Sequence, residues 1–88
     1  MTFEFNGIML RAVDNQRTVS VQATNLQDAL AELTSRFPQT RRLLLDPNGQ
    51  LRDSHKVILN GDPLSRPDSA MPLSASDRIE IFTAVAGG

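Results

Sequence analysis

The chain has 88 residues, which is enough for one domain with a modest core and leaves little room for a deep interior active site. Nine Lys and Arg against ten Asp and Glu give a net charge of −1, so the basic footprint of a nucleic-acid binder is missing. There is no cysteine, which excludes disulfides, thiolate metal sites and a cysteine nucleophile.

No apolar run approaches the roughly 18 residues of a membrane span. The first residues also lack the charged-then-apolar order of a secretory leader. The expected setting is the cytoplasm, with neither a membrane nor a nucleic acid as partner.

The opening stretch TFEFNGIMLRAV alternates at Phe3 and Phe5, then at Ile8 and Leu10. Gly7 stands where the phase changes, which predicts a bulge or bend. Asp14 to Arg17 supply turn residues, and Thr18 to Ala23 alternate with Val19 and Val21 on one face. Together these segments read as a β-hairpin.

The period then changes. Leu26, Ala29, Leu30, Leu33 and Phe37 form one helical stripe. Two N-terminal registers fit: Thr24 capping with Gln27, or Asn25 with Asp28. Pro38 ends the helix, because the residue before a proline avoids the α region.

Leu43 to Leu45 form a short apolar run, either a strand or a single helical turn. Asp46-Pro47-Asn48-Gly49 has turn chemistry. Val57 to Leu59 read as a strand and Asn60-Gly61 as a tight hairpin turn. Residues 62 to 77 hold three prolines among Ser and Asp and read as an irregular loop. In the last strand Ile79 and Ile81 point one way and Arg78, Glu80 and Phe82 the other.

The predicted fold class is α+β: a ubiquitin-like β-grasp with a mixed sheet of four to five strands and one main helix packed on one face. Its first and last strands lie side by side in the sheet centre. The expected organisation is a domain over 1–83 and a flexible Gly-Gly tail over 84–88.

Few residues offer chemistry. His55 is the only histidine and has no second His or Cys for a ligand set, so a surface role is expected and no metal site. Arg41 and Arg42 read as a solvated edge or as a contact for an acidic partner surface. Gly7, Gly49 and Gly61 are isolated and form no phosphate loop. Phe82 and Ile58 lie on strand faces opposite the core residues, as scattered exposed apolar side chains or as a partner patch on the open sheet face.

There remains the ending AVAGG. The reactive group it offers is the α-carboxylate of Gly88, a poor electrophile until one oxygen becomes part of a leaving group such as an adenylate. Glycines admit entry into a narrow cleft because no Cβ obstructs the backbone. An extended stretch from Thr83 to Gly88 reaches about 20 Å.

The AVAGG ending, the ILNGD turn and the helix NLQDALAELTSRFP resemble the MoaD/ThiS family of ubiquitin-like sulfur carriers, over essentially the whole chain. In ending and length the chain looks most like the cysteine-forming carrier of that family. The resemblance implies a carrier, not an enzyme in its own right. Gly88 would be adenylated and then bear the thiocarboxylate. Gly87, Ala86 and Val85 would thread into the partner, and Phe82 and Ile58 would belong to the docking surface.

The implied partners are an ATP-dependent activating enzyme of MoeB/ThiF type and a sulfur-accepting synthase, for example one of cysteine-synthase type. The chain itself would bind no cofactor; ATP and a sulfide or persulfide donor would be used by the partners. The product would be cysteine, molybdopterin, thiamine or another thiolated metabolite. The alternatives are a protein modifier joined to lysines through Gly88 and a non-reactive β-grasp interaction domain. Thr83 stands where family members commonly carry proline, and Ser76-Asp77 where Gly-Asp often precedes the last strand.

Overall fold

A computed structural model of the chain describes residues 1–52, 54–65 and 67–83, the last without its side chain. Five strands form one sheet: β1 (Thr2–Phe5), β2 (Thr18–Ser20), β3 (His55–Leu59), β4 (Asp62–Leu64) and β5 (Arg78–Thr83), in the order β2-β1-β5-β3-β4. β1 and β5 run parallel in the middle, with Phe3 opposite Ile79 and Phe5 opposite Ile81. The other neighbours are antiparallel. Helix α1 (Leu26–Arg36) covers one sheet face, and a shorter helix α2 (Gln39–Leu44) follows it.

Strand alternation places the core. Phe3, Phe5, Val19, Val57, Ile79 and Ile81 point from the sheet toward Leu26, Ala29, Leu30 and Leu33 of α1, and all are buried. The Phe3 and Phe5 rings stack at 5.9 Å between centroids.

The first connection differs from the predicted strand pair. Residues Gly7–Val13 form a 3-10 helix, so Ile8 and Leu10 do not continue an alternating strand. The buried residues there are Met9, Ala12 and Val13, a helical spacing. Gly7, at φ +64°, turns the chain out of β1 just where the phase breaks. Asp14 and Asn15, at φ 54° and 60°, stop the short helix in the left-handed region that these residue types tolerate. The chain then returns as β2 beside β1, so the antiparallel pairing stands although the connecting piece is helical.

Of the two cap registers, the structure uses Asn25. Its Oδ1 accepts from the Asp28 amide at 2.8 Å, and its Nδ2 donates to Asp28 Oδ2 at 3.1 Å. Leu43 and Leu44 close the helical turn of α2 while Leu45 bridges to Leu51, which resolves the strand-or-turn ambiguity in favour of the helix. The buried polar side chain among the described residues, Thr40, is satisfied through its hydroxyl, which donates to the Phe37 carbonyl at 2.6 Å.

Asp46 builds the expected turn by accepting the amides of Asn48 and Gln50 on Oδ1. The expectation of little regular structure over 62–77 is corrected at its start, where Asp62–Leu64 pair with β3 as an edge strand. Pro63 is tolerated there because an edge strand has one side without a ladder partner.

Candidate functional site

The functional geometry centres on β5, which is hydrogen-bonded on both sides. Its start is clasped to the β3–β4 turn. Asn60 Nδ2 donates to Asp77 Oδ1 at 3.0 Å, and Asn60 Oδ1 accepts the Arg78 amide at 2.9 Å. Asp77 Oδ2 accepts the Ser74 amide at 2.8 Å. The Ser74 amide above all, and then the Asn60 side chain, hold the Asp77 carboxyl below the usual carboxylate range. The Asp77 carbonyl also receives the Thr2 amide at 2.9 Å, so the same residue ties β1 to β5. Asn60 reads from the sequence as a turn residue only; its contact with Asp77, 17 positions away, leaves no local signal.

The sheet face away from α1 carries the predicted apolar pair. Phe82 lies opposite Lys56 in register and Ile58 opposite Glu80, so the two are diagonal neighbours on one face. Both are half-buried and neither belongs to the core cluster. Pro63 is Ile58's partner on the other side. On the same face, across the two middle strands, Glu4 and Glu80 stand side by side in register, and Arg78 reaches Glu4 Oε2 at 3.3 Å.

The end of β5 is flanked by β3 and by the 3-10 helix, and the end of α2 is tied in through His55. His55 pairs with Thr83 across the β3–β5 ladder. The half-buried His55 ring donates from Nε2 to the Leu43 carbonyl, which joins β3 to the end of α2. On the other side β1 ends at Phe5, opposite Ile81, and the 3-10 helix packs on both β5 and α2. Ile8 and Leu43, at 60% and 40% exposure, are the large apolar side chains left exposed among the described residues. The sequence pattern marks neither as exposed, because Ile8 reads as part of a strand and Leu43 as part of an apolar run of unknown phase. Arg41 and Arg42 are exposed beside Leu43.

The predicted residues Val85, Ala86, Gly87 and Gly88 lie outside the described residues.

A broad open groove of about 1410 Å³ runs between α1, the 46–52 turn and β4. Asp46 and Asp68, the carboxylates lining it among the described residues, each accept from amides of their own turns. No set of three His, Cys, Asp or Glu among the described residues could hold a metal ion. No helix among the described residues is long and apolar enough to cross a membrane.

Comparison with known proteins gives a consistent picture. The model of the ThiS family matches residues 3–88. Among solved structures, SAMP1 from Haloferax volcanii is 23% identical, with a TM-score of 0.83 over 99% of this chain and 97% of its own. A chain of the Amycolatopsis orientalis BexX/CysO complex is 18% identical, with a TM-score of 0.83 over 99% and 98%. Mycobacterium tuberculosis CysO is 21% identical, with a TM-score of 0.81 over 96% and 98%. At these identities the likeness shows the fold, the ubiquitin-like β-grasp expected from the sequence. No curated protein sequence matches the chain.

Proposed function

This chain belongs to the ThiS family, and we propose that it is a sulfur carrier whose working group is the C-terminal carboxyl of Gly88. A partner of MoeB/ThiF type binds ATP, and an oxygen of the Gly88 carboxylate attacks the α-phosphorus. Pyrophosphate leaves and an acyl adenylate forms. Sulfide then attacks the carbonyl carbon and AMP departs with that oxygen, so the chain ends in a thiocarboxylate. A sulfur-accepting synthase, for instance of cysteine-synthase type, takes the sulfur onward.

Each part of the chain has a role in this reading. Gly87, Ala86 and Val85 thread the partner's cleft, the glycine without a Cβ to block entry. Phe82 and Ile58, half-buried on the open sheet face, supply apolar area for docking. The chain has no cysteine to act as nucleophile, so the thiol chemistry falls to the partners.

The observation that carries the reading is the extent of the family match, which runs from residue 3 to Gly88 and so takes in both the folded domain and the Gly-Gly ending. The solved BexX/CysO complex supports a partner-bound mode of work for a chain of this shape.

The test is incubation with a MoeB/ThiF-type enzyme from the same genome, ATP and sulfide, read by intact mass. One oxygen is replaced by sulfur at the C-terminus. Deleting Gly88 abolishes the change and leaves thermal unfolding where it was. A C-terminally extended form, verified as unprocessed, that still gains sulfur overturns the proposal. The likeness to SAMP1, a small archaeal modifier protein, favours a second reading in which Gly88 joins lysines. Recovery of the chain from cells as conjugates of higher mass, without thiocarboxylate, would select it.

A further inference from the structure

We propose, on the premise that Gly88 is the activated end, that the ring around the β5 exit is a second docking surface. In this proposal Ile8 and Leu43 grip the rim of the activating enzyme's cleft. This contact is separate from the open sheet face that carries Phe82 and Ile58.

The argument starts from reach. Five residues, 84–88, follow Thr83, and extended chain covers at most about 3.3–3.6 Å per residue, or some 17 Å here. A cleft that holds the Gly88 carbonyl together with ATP must shield the acyl adenylate from water. With so short a tether, the rim of such a cleft comes against whatever surrounds Thr83.

The elements that surround it are known. Thr83 is flanked by His55 in the ladder, and His55 is bonded to the Leu43 carbonyl. The 3-10 helix closes the other side and packs on α2 as well as on β5. Ile8 is the second residue of that helix, whose phase turns Met9, Ala12 and Val13 inward and leaves Ile8 outside. Leu43 is set outward in the same way, because Thr40 and Leu44 take the buried side of α2.

Single exposed apolar residues are ordinary on a protein surface. Here the exposed ones among the described residues both belong to elements tied to the end of one strand, Ile8 to the 3-10 helix packed on β5 and Leu43 through the bond of its carbonyl to His55, which is not a scattered pattern. Arg41 and Arg42 lie beside Leu43, and neither pairs with a carboxylate among the described residues. The rim that fits is therefore apolar at its centre and acidic where it meets α2.

Steady-state adenylation by the MoeB/ThiF-type enzyme, followed as pyrophosphate release, tests this. Ile8→Glu and Leu43→Glu each raise KM for the carrier about tenfold, with kcat unchanged. Ile8→Ala and Leu43→Ala give smaller shifts in the same direction and guard against a folding artefact, checked by thermal unfolding. Ala31→Glu, exposed on α1, leaves KM where it was.

Wild-type KM in both glutamate variants overturns the ring and leaves the Gly88 reading standing. A wild-type chain that releases no pyrophosphate, or one that does so equally without Gly88, overturns both.

Discussion

Replacing Asn25 by alanine separates two helix starts that look alike in sequence. The Asn25 side chain satisfies the Asp28 amide at 2.8 Å and returns a second hydrogen bond to the Asp28 carboxylate at 3.1 Å. Losing a cap of this kind costs about 0.5–2 kcal/mol. Asp28 is exposed, so water can replace part of the lost bonding, and a value near 1 kcal/mol follows. An entropy of unfolding of about 2.1 cal/mol/K per residue amounts to about 0.18 kcal/mol/K over this chain, so Tm falls by about 5 °C.

Thr24→Ala removes an exposed hydroxyl that makes no hydrogen bond among the described residues, while the Thr24 carbonyl still accepts the Leu73 amide at 2.8 Å. Its cost stays within about 0.5 kcal/mol. Urea unfolding followed by far-ultraviolet circular dichroism measures both, with equal m-values. Asn25→Ser restores most of the loss. A Thr24→Ala cost equal to or greater than that of Asn25→Ala refutes the assignment of the cap.

The Asp77 carboxyl titrates below the ordinary value of about 3.9, so its contribution to stability is complete above that pH and is lost as pH falls through the depressed folded-state value. Side-chain carbonyl NMR of Asp77 reads this directly, and a midpoint at or above the ordinary value contradicts the clasp; Asp77→Asn removes this part of the acid sensitivity. Gly61 sits at φ +89° with open space where a Cβ would go, so Gly61→Ala costs about 1–2 kcal/mol through backbone strain alone. A neutral result in chemical denaturation refutes that account.

The elements that were legible in the sequence are those whose signal is local. α1 shows in the apolar stripe of Leu26, Ala29, Leu30 and Leu33, the Asp46 and Asn60-Gly61 turns in their side-chain chemistry, and β5 in its strict alternation. The parallel pairing of β1 with β5 follows from fold-level reasoning and is present in register. The failures are equally physical. Gly7–Val13 mixes an alternating pattern at 8 and 10 with a helical one at 9, 12 and 13, and burial against the core decides for the second. β4 is three residues with a proline at its centre, too short and too poor in β-formers to stand out from a loop. The ring around Thr83 combines residues from three separate segments, and only the fold brings them together.

The placement of the ending on β5 has a mechanical logic. A carrier whose last residues are drawn into another protein's cleft needs an anchor that does not peel. A three-residue edge strand such as β2 or β4 would make a poor one, since edge ladders open at low free-energy cost. β5 is bonded to β1 on one side and β3 on the other, and it carries Ile79 and Ile81 into the centre of the core. Its first residues are held again by the Asn60–Asp77 clasp. Releasing it would break two ladders and expose both isoleucines, close to unfolding the whole domain. The body can thus stay rigid against a pull at Thr83 while its outer face and rim remain available for contact. On the proposed carrier reading, such a fixed anchor would let so small a domain present the Gly88 carboxyl to a partner without loosening its own core.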